Sequence, residues 1–92
     1  MKSTVAGLVT PHQLRIIELA NSAQNGAKVD WHVRDAVAKT MAELGDQANA
    51  PELVAAYLEG LENAAAQAPK ARVAYASVLQ AAAEAARRLW RD

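Results

Sequence analysis

Apolar residues recur along most of the chain at the three- and four-residue spacing of helices that are buried on one side. The clearest stripe is formed by Val33, Val37, Met41 and Leu44. A second stripe runs through residues 53–65, and a third through residues 75–90. No segment alternates in the manner of a half-buried strand. The pattern predicts an all-α fold, a compact antiparallel helical bundle of about four helices.

The first helix is predicted from a start signal of three residues. Thr10, Pro11 and Gln13 stand in the order of a capping box, in which the threonine oxygen accepts the N–H of Gln13 and proline occupies the first helical position. The helix is therefore expected to begin at Pro11 and to end before Gly26, a residue suited to a left-handed stop. Residues 1–9 form an amino-terminal tail of unassigned structure.

Three further helices follow from similar signals. Asp30 and Asn49 are the expected N-caps of helices 2 and 3, and Gly45 is the expected stop of helix 2. Pro69 should open helix 4, which is predicted to reach Trp90. At about 22 residues, or roughly 33 Å, this helix would overhang the bundle. The last two helices are therefore expected to form the longest hairpin.

Length and composition limit the possible classes of protein. The chain has 92 residues, of which 52% are hydrophobic and 23 are alanine, so we expect a single helical-bundle domain over residues 1–92. The absence of cysteine excludes disulfides, thiolate catalysis and zinc sites built on cysteine. We find no targeting segment and no apolar run long enough to span a membrane, and we expect a cytoplasmic protein.

Charge is balanced overall but divided between the last two helices. The chain carries ten basic and ten acidic residues, so no field of one sign favours nucleic acid or a highly charged partner. Residues 47–68 contain three glutamates and no cation, whereas the following segment is basic. In an antiparallel hairpin we expect Lys70 and Arg72 near Glu62 and Glu59, with the terminal arginines near Glu52.

Residues with catalytic or metal-binding chemistry do not form a recognisable site. Asp30, His32 and Asp35 are the nearest approach to a metal site, but capping and exposed roles explain them better, and no paired-histidine motif is present. Neither a nucleophile motif nor a phosphate-binding glycine loop occurs. We therefore expect no enzyme activity, no cofactor and no metal.

Two groups of apolar residues leave alternatives open. Ala56, Gly60, Ala64 and Ala68 form a ridge of small residues that suits close packing of helix 3 on helix 4, or docking of another chain. Trp31, Tyr57 and Tyr75 would either close the ends of the core or line a small-molecule pocket.

The carboxyl end of helix 4 is the predicted interaction site. It combines aromatic, apolar and planar cationic residues of the kinds enriched in interface hot spots: Arg87, Arg88, Leu89, Trp90 and Arg91. The sequence thus favours a non-enzymatic protein–protein interaction module, such as an adaptor, a chaperone-like partner or an inhibitor that masks a surface. Its partner would be another protein or a second copy of the chain. The alternatives are a nucleic-acid-associated protein that uses the arginine cluster, and a small-ligand-binding bundle or small helical enzyme.

Overall fold

The computed structural model describes residues 5–90, apart from the side chain of Ala6. Four helices account for most of this range: α1 is Val5–Gln24, α2 is Asp30–Gly45, α3 is Ala50–Gln67 and α4 is Val73–Leu89. The described residues contain no strand. Each helix packs against the other three. The predicted all-α helical bundle is therefore confirmed.

Short connectors turn each helix back alongside the previous one. They comprise residues 25–29, 46–49 and 68–72. Across the first connector, His12 in the middle of α1 meets Thr40 in the second half of α2, as expected for antiparallel neighbours. The molecule measures 38 × 26 × 18 Å. None of the helices described is long and apolar enough to cross a membrane.

The core is built from the predicted stripes of α2 and α3 together with one side each of α1 and α4. Its largest fully buried side chains are Ile16, Val37, Leu53, Val54, Tyr57, Leu61 and Leu79. The other buried residues of α4 are alanines, namely Ala82, Ala83 and Ala86. Because alanine has almost no side chain, the other helices can approach α4 closely.

The start of α1 differs from its prediction. The helix begins at Val5 and continues through Thr10 and Pro11, so the predicted capping box and the predicted start at Pro11 were wrong, and residues 5–9, unassigned from the sequence, are helical. Val9 is only 2% exposed, and Val5 packs against the core. Burial of Val9 contributes roughly 1.5–3 kcal/mol, which together with the packing of Val5 opposes the cost of about 3 kcal/mol for a proline inside a helix. Residues 1–4 lie outside the described range.

The two glycine stops have different outcomes. Gly26 ends α1 in the left-handed region, with φ of 101°, and the N–H of Ala27 bonds to the carbonyl of Ser22 at 3.0 Å. This is the Schellman geometry that the sequence predicts. Gly45, in contrast, is the last residue of α2, and Gly26 is the one described residue with a positive φ. Helix α2 thus ends one residue later than predicted, with Gly45 as its last residue rather than the stop after it.

Side-chain caps are missing from the starts of α2, α3 and α4. Val29, Asn49 and Arg72 occupy the three cap positions, and none of their side chains forms a cap hydrogen bond. Asp30 is therefore the first residue of α2 rather than its cap. Asn49 has the predicted position but only its backbone carbonyl is used, by the N–H of Leu53 at 3.1 Å.

Helix α4 is shorter than predicted because it begins at Val73, and Pro69–Arg72 forms a turn instead. The N–H of Arg72 bonds to the carbonyl of Pro69 at 2.9 Å. With 17 residues, α4 is about 26 Å long and packs against all the other helices. The expected overhang was therefore wrong.

The first turn of α4 is tied to the last turn of α1. The side-chain oxygen of Gln24 accepts the backbone N–H of Tyr75 at 3.1 Å. Arg72 donates to the side-chain oxygen of Asn21 at 2.6 Å, and its guanidinium lies 4.3 Å from the centre of the Tyr75 ring. A glutamine of α1 thus takes the place of the missing side-chain cap of α4.

Candidate protein-interaction site

The outer surface between α2 and α4 forms an open groove, which we call the α2/α4 groove. One part has a volume of about 490 Å³ and is lined by Trp31, Arg34, Asp35, Ala38, Ala85, Arg88 and Leu89. The groove continues along Asp30, Ser77, Ala81 and Glu84, and both parts share Arg34, Ala85 and Arg88. The two helices therefore provide facing walls of one continuous depression.

Two large apolar side chains of the groove are exposed to solvent. Trp31 is 76% exposed and Leu89 is 56% exposed. Trp31 precedes the buried Val33 by two residues, which places it about 200° away around α2. At the end of α4, Trp90 packs against the core and its neighbour Leu89 faces outward. The exposure of Trp31 follows from the helical repeat. Leu89 is exposed although it lies seven residues after the buried Ala82 and was predicted in the buried stripe; it is the last residue of α4.

Small side chains lie between these two apolar groups. Ala38 and Ala81 are exposed, and Ala85 is half-buried. A surface of large side chains around small ones can accept the side chains of a partner. Together with Trp31 and Leu89, these alanines give the groove a surface of large and small apolar side chains.

Charges of both signs border the groove. The guanidinium of Arg34 lies 5.5 Å from the centre of the Trp31 ring. Asp35 forms an ion pair with Lys39 at 3.3 Å. The other charged residues of the groove are Asp30, Glu84 and Arg88. Within the part of the chain that the structure describes, these three and Arg34 form no ion pair.

The structure divides the predicted interaction site. Arg88 and Leu89 line the α2/α4 groove. Arg87 turns to the other side of α4 and pairs with Glu62 of α3, and Trp90 is half-buried against the core. Arg91 lies outside the described residues.

Sequence reasoning overlooked the α2 side of this surface. Trp31 and Arg34 belong to it, although neither was predicted as an interaction residue. The available signal was the position of Trp31 opposite the stripe that begins at Val33. A tryptophan on the polar side of an amphipathic helix is a stronger indication of binding than one in line with the core.

The ion pairs expected between α3 and α4 are also rearranged. Arg72 contacts Asn21 of α1 instead of a glutamate of α3. Arg87 pairs with Glu62, not with Glu52. Two members of the ridge of small residues on α3 lie beside α1: Gln13 donates to the carbonyl of Ala56 at 3.2 Å and lies against Gly60. Packing on α4 stays a prediction for Ala64 and Ala68.

A second group of polar side chains lies where α1, α2 and α3 meet, and it extends from the buried Thr40 to the exposed Glu43. Nδ1 of His12 and the hydroxyl of Thr40 are 3.2 Å apart, and Nε2 of His12 is 3.4 Å from Oε1 of Glu43. Carboxylate, imidazole and hydroxyl thus follow one another in the order used to activate a nucleophile. Thr40 is only 2% exposed and offers no surface to a substrate, so this geometry does not support catalysis.

Tyr57 completes the interior group from α3. Its side chain is fully buried, and its hydroxyl has no hydrogen-bond partner of good geometry among the described residues. Burial raises the pKa of this hydroxyl above its usual value, and the adjacent Thr40 hydroxyl acts in the opposite direction. The Thr40 hydroxyl lies near enough to act on the pKa of Tyr57, although the two hydroxyl groups do not form a hydrogen bond of regular geometry.

The residues considered for ligand or metal binding are separated. Trp31 is exposed and Tyr57 is buried, while Tyr75 lies beneath Arg72, so the three aromatic residues do not line a common pocket. Asp30, His32 and Asp35 have exposed side chains at the start of α2. Among residues 5–90, no three histidine, cysteine or acidic side chains are grouped to hold a metal ion.

The α2/α4 groove and the polar group of His12, Thr40 and Tyr57 thus differ in what they offer to other molecules. The α2/α4 groove is open and presents large side chains, whereas Thr40 and Tyr57 are buried and His12 is half-buried. Comparisons of the chain with protein-family models, with curated proteins and with solved structures find no match.

Proposed function

We propose that this protein is a non-enzymatic interaction module that binds another polypeptide through the α2/α4 groove. The observation that carries the proposal is the pair of exposed apolar side chains on facing walls, Trp31 at 76% and Leu89 at 56%. Leaving such residues in water forgoes stabilisation that burial in a complex recovers. Aromatic and arginine residues are also the types that contribute most to interface affinity.

The groove suits a helical segment of the partner. Its walls are two helices of 16 and 17 residues, and alanines lie between larger side chains on both walls. A partner helix in such a groove inserts apolar anchors at three- and four-residue spacing. Arg34 and Arg88 would then lie at the rim, where planar guanidinium groups can bond to carboxylates or backbone carbonyls.

The division of the arginines favours a protein partner over nucleic acid. Arg87 is engaged with Glu62 on the side of α3, while Arg88 lines the groove on the side of α2. A phosphate backbone is held by several cations on one surface. Acidic side chains at Asp30 and Glu84 share the groove with the arginines, which further disfavours phosphates.

The test removes the apolar anchors of the groove and compares the result with removal of equivalent residues elsewhere. Trp31→Ala combined with Leu89→Ala is the groove variant. Leu14→Ala combined with Val73→Ala is the matched control, because Leu14 and Val73 are 52% and 68% exposed and neither lines the groove. Both variants should keep the helical circular-dichroism spectrum of the wild type.

Binding is measured by cross-linking and affinity capture with purified wild type and both variants. We expect polypeptides bound by the wild type to be retained by the control and to bind the groove variant at least about tenfold more weakly. Equal capture by the groove variant and the wild type would contradict the proposal. Loss of capture by the control alone would assign the interaction to a different face.

A further inference from the structure

From the charges that border the α2/α4 groove we infer that its occupant is a second copy of this chain, docked groove to groove about a two-fold axis. The inference rests on the proposed function, because it names the polypeptide that covers Trp31 and Leu89. Three features of the groove favour a second copy: the distribution of its charges, the shapes of its two walls and an area sufficient for a dimer.

The groove carries both signs of charge on both walls. The α2 wall holds Asp30 and Arg34, and the α4 wall holds Glu84 and Arg88. None of these four residues forms an ion pair within the described chain. A partner segment of one sign would meet like charges at half of these positions. A surface with two unpaired cations and two unpaired anions is best complemented by another surface of the same composition.

The positions of the charges agree with two-fold symmetry. Arg34 and Glu84 line the same part of the groove from opposite walls. Rotation about an axis along the groove places the α2 wall of one copy on the α4 wall of the other. Arg34 of each copy then faces the second copy's Glu84, and the contact is made twice. The chain has zero formal net charge, so two copies approach each other without overall repulsion.

The apolar groups are complementary under the same rotation. Trp31 projects from the α2 wall, whereas the α4 wall in the same part of the groove offers the small side chain of Ala85. Leu89 projects from the α4 wall, and the α2 wall offers Ala38. Each wall thus supplies a large side chain where the other wall has a small one, the condition for interdigitated packing.

The surface required is modest for this molecule. A standard interface buries roughly 800 Å² on each partner, which is about one-seventh of the 5812 Å² surface of the chain. The groove lies along α2, which is 16 residues or about 24 Å long. Over this length both walls are available to the second copy, since the charged and the exposed apolar side chains of the groove lie on the same outer surface of the bundle.

The experiment exchanges the charges of the groove and then restores them by mixing. Arg34→Glu with Arg88→Glu makes the groove acidic, and Asp30→Arg with Glu84→Arg makes it basic. Lys28→Glu with Lys70→Glu is the matched control, because both lysines are exposed in connectors outside the groove. Mass is measured by sedimentation velocity and light scattering from micromolar to millimolar concentration, with circular dichroism to check that each variant is helical.

We expect the wild type and the control to change from a 9.8 kDa monomer to a dimer as concentration rises. Each charge-exchanged variant alone should dimerise at least about tenfold more weakly, and an equimolar mixture of the two should recover the dimer. A wild type that stays monomeric at millimolar concentration would overturn the inference. So would variants that dimerise like the wild type, or a mixture that stays monomeric although both variants are folded.

Trp31 gives a second measurement that leaves all the groove residues in place. Trp90→Phe makes Trp31 the sole tryptophan. Its emission should shift to shorter wavelength in step with dimerisation, because an indole that is 76% exposed becomes covered. A dimer without this shift uses another face and overturns the inference. A monomeric wild type whose groove variant still loses a captured polypeptide would overturn self-association alone and leave the proposed function intact.

Discussion

Two regions of the molecule break the rule that apolar side chains are buried and polar ones exposed. They are the interior contact among α1, α2 and α3 and the outer groove between α2 and α4, and they break it in opposite ways. The interior contact places the polar groups of Thr40 and Tyr57 out of water. The groove places Trp31 and Leu89 in water. Both arrangements sacrifice stability of the isolated chain. Within the chain His12 compensates the Thr40 hydroxyl, whereas the Tyr57 hydroxyl has no regular partner among the described residues. For the groove, we propose that a partner molecule supplies the compensation.

This difference separates residues that determine the fold from residues that are available for function. An interior polar contact restricts how three helices fit together, because a shifted helix would leave its hydroxyl or imidazole without a partner. Exposed apolar residues place no such restriction on the fold. Substitutions in the interior should therefore change the free energy of unfolding, and substitutions in the groove should change binding.

The sharpest contrast is expected between the two aromatic residues Tyr57 and Trp31. Tyr57→Ala should lower the free energy of unfolding by about 3–5 kcal/mol because a large buried side chain is lost. Trp31→Ala should change it by no more than about 0.5 kcal/mol, since an exposed side chain contributes little to folding. Urea unfolding followed by circular dichroism measures both. Similar losses for the two variants would abolish the distinction between interior and groove.

The hydroxyl of Thr40 is expected to have the next largest effect. Thr40→Val keeps the shape of the side chain but removes the partner of Nδ1 of His12, and should cost about 1–3 kcal/mol. Thr40→Ser is the matched control because it keeps the hydroxyl and removes one methyl group. Unfolding by urea should show the valine variant as the less stable of the two. If valine were as stable as threonine, the interior contact would contribute nothing to the fold.

The pH dependence of stability tests the environment of Tyr57. Burial keeps its hydroxyl neutral in the folded state, so its folded pKa is raised, whereas the unfolded tyrosine ionises with a pKa of 10.0. The unfolded state then releases the proton first. Stability from this group is fully present below that pH and falls as pH rises above it, by up to about 1.4 kcal/mol per pH unit.

The comparison for this prediction is Tyr57→Phe, which lacks the ionisable group. At neutral pH its free energy of unfolding should lie within about 1 kcal/mol of the wild type, since the lost hydroxyl has no regular partner. Above pH 10.0 the variant should become progressively more stable than the wild type. Parallel stability curves for the two proteins in alkali would show that Tyr57 is not shielded from water.

The smallest expected effect concerns the close contact between α1 and α3. A Cβ atom at Gly60 would overlap the side-chain amide of Gln13, which donates to the carbonyl of Ala56. Gly60→Ala should be nearly neutral in the wild type, because a lost hydrogen bond opposes a gain of about 1 kcal/mol in helix propensity. In the Gln13→Ala background the same substitution should be stabilising by up to about 1 kcal/mol. Equal effects in both backgrounds, measured as a double-mutant cycle, would show that the two residues are uncoupled.

Periodicity in the sequence predicts the fold more completely than its start and stop signals do. The stripe from Val33 to Leu44 is buried as predicted. Residues at helical spacing share one face of the helix, and that face packs against the core. Thr10 and Pro11 have the order of a helix start, yet the helix continues through them to Val5. The buried Val9 favours continuation of the helix against this local start signal, and the sequence alone does not specify which side chains will be buried.

The candidate sites show the same limit at longer range. Leu89 and Arg88 were predicted from their types, but their neighbours Trp31 and Arg34 come from a helix more than fifty residues earlier. His12, Thr40 and Tyr57 likewise come from three different helices. Proximity of this kind depends on how the helices pack, which no local motif encodes.

The hydrogen bond that Gln24 accepts from the N–H of Tyr75 links hydrogen exchange at the start of α4 to the docking of α4 on α1. An amide in the first turn of a helix normally exchanges its hydrogen quickly, because only solvent or a nearby cap holds it. Here the acceptor belongs to a helix 51 positions away in sequence. The hydrogen of Tyr75 is therefore released only when α1 and α4 separate. Its exchange rate reports the docking of the two helices, and α4 acquires a fixed beginning only after the chain has closed on itself.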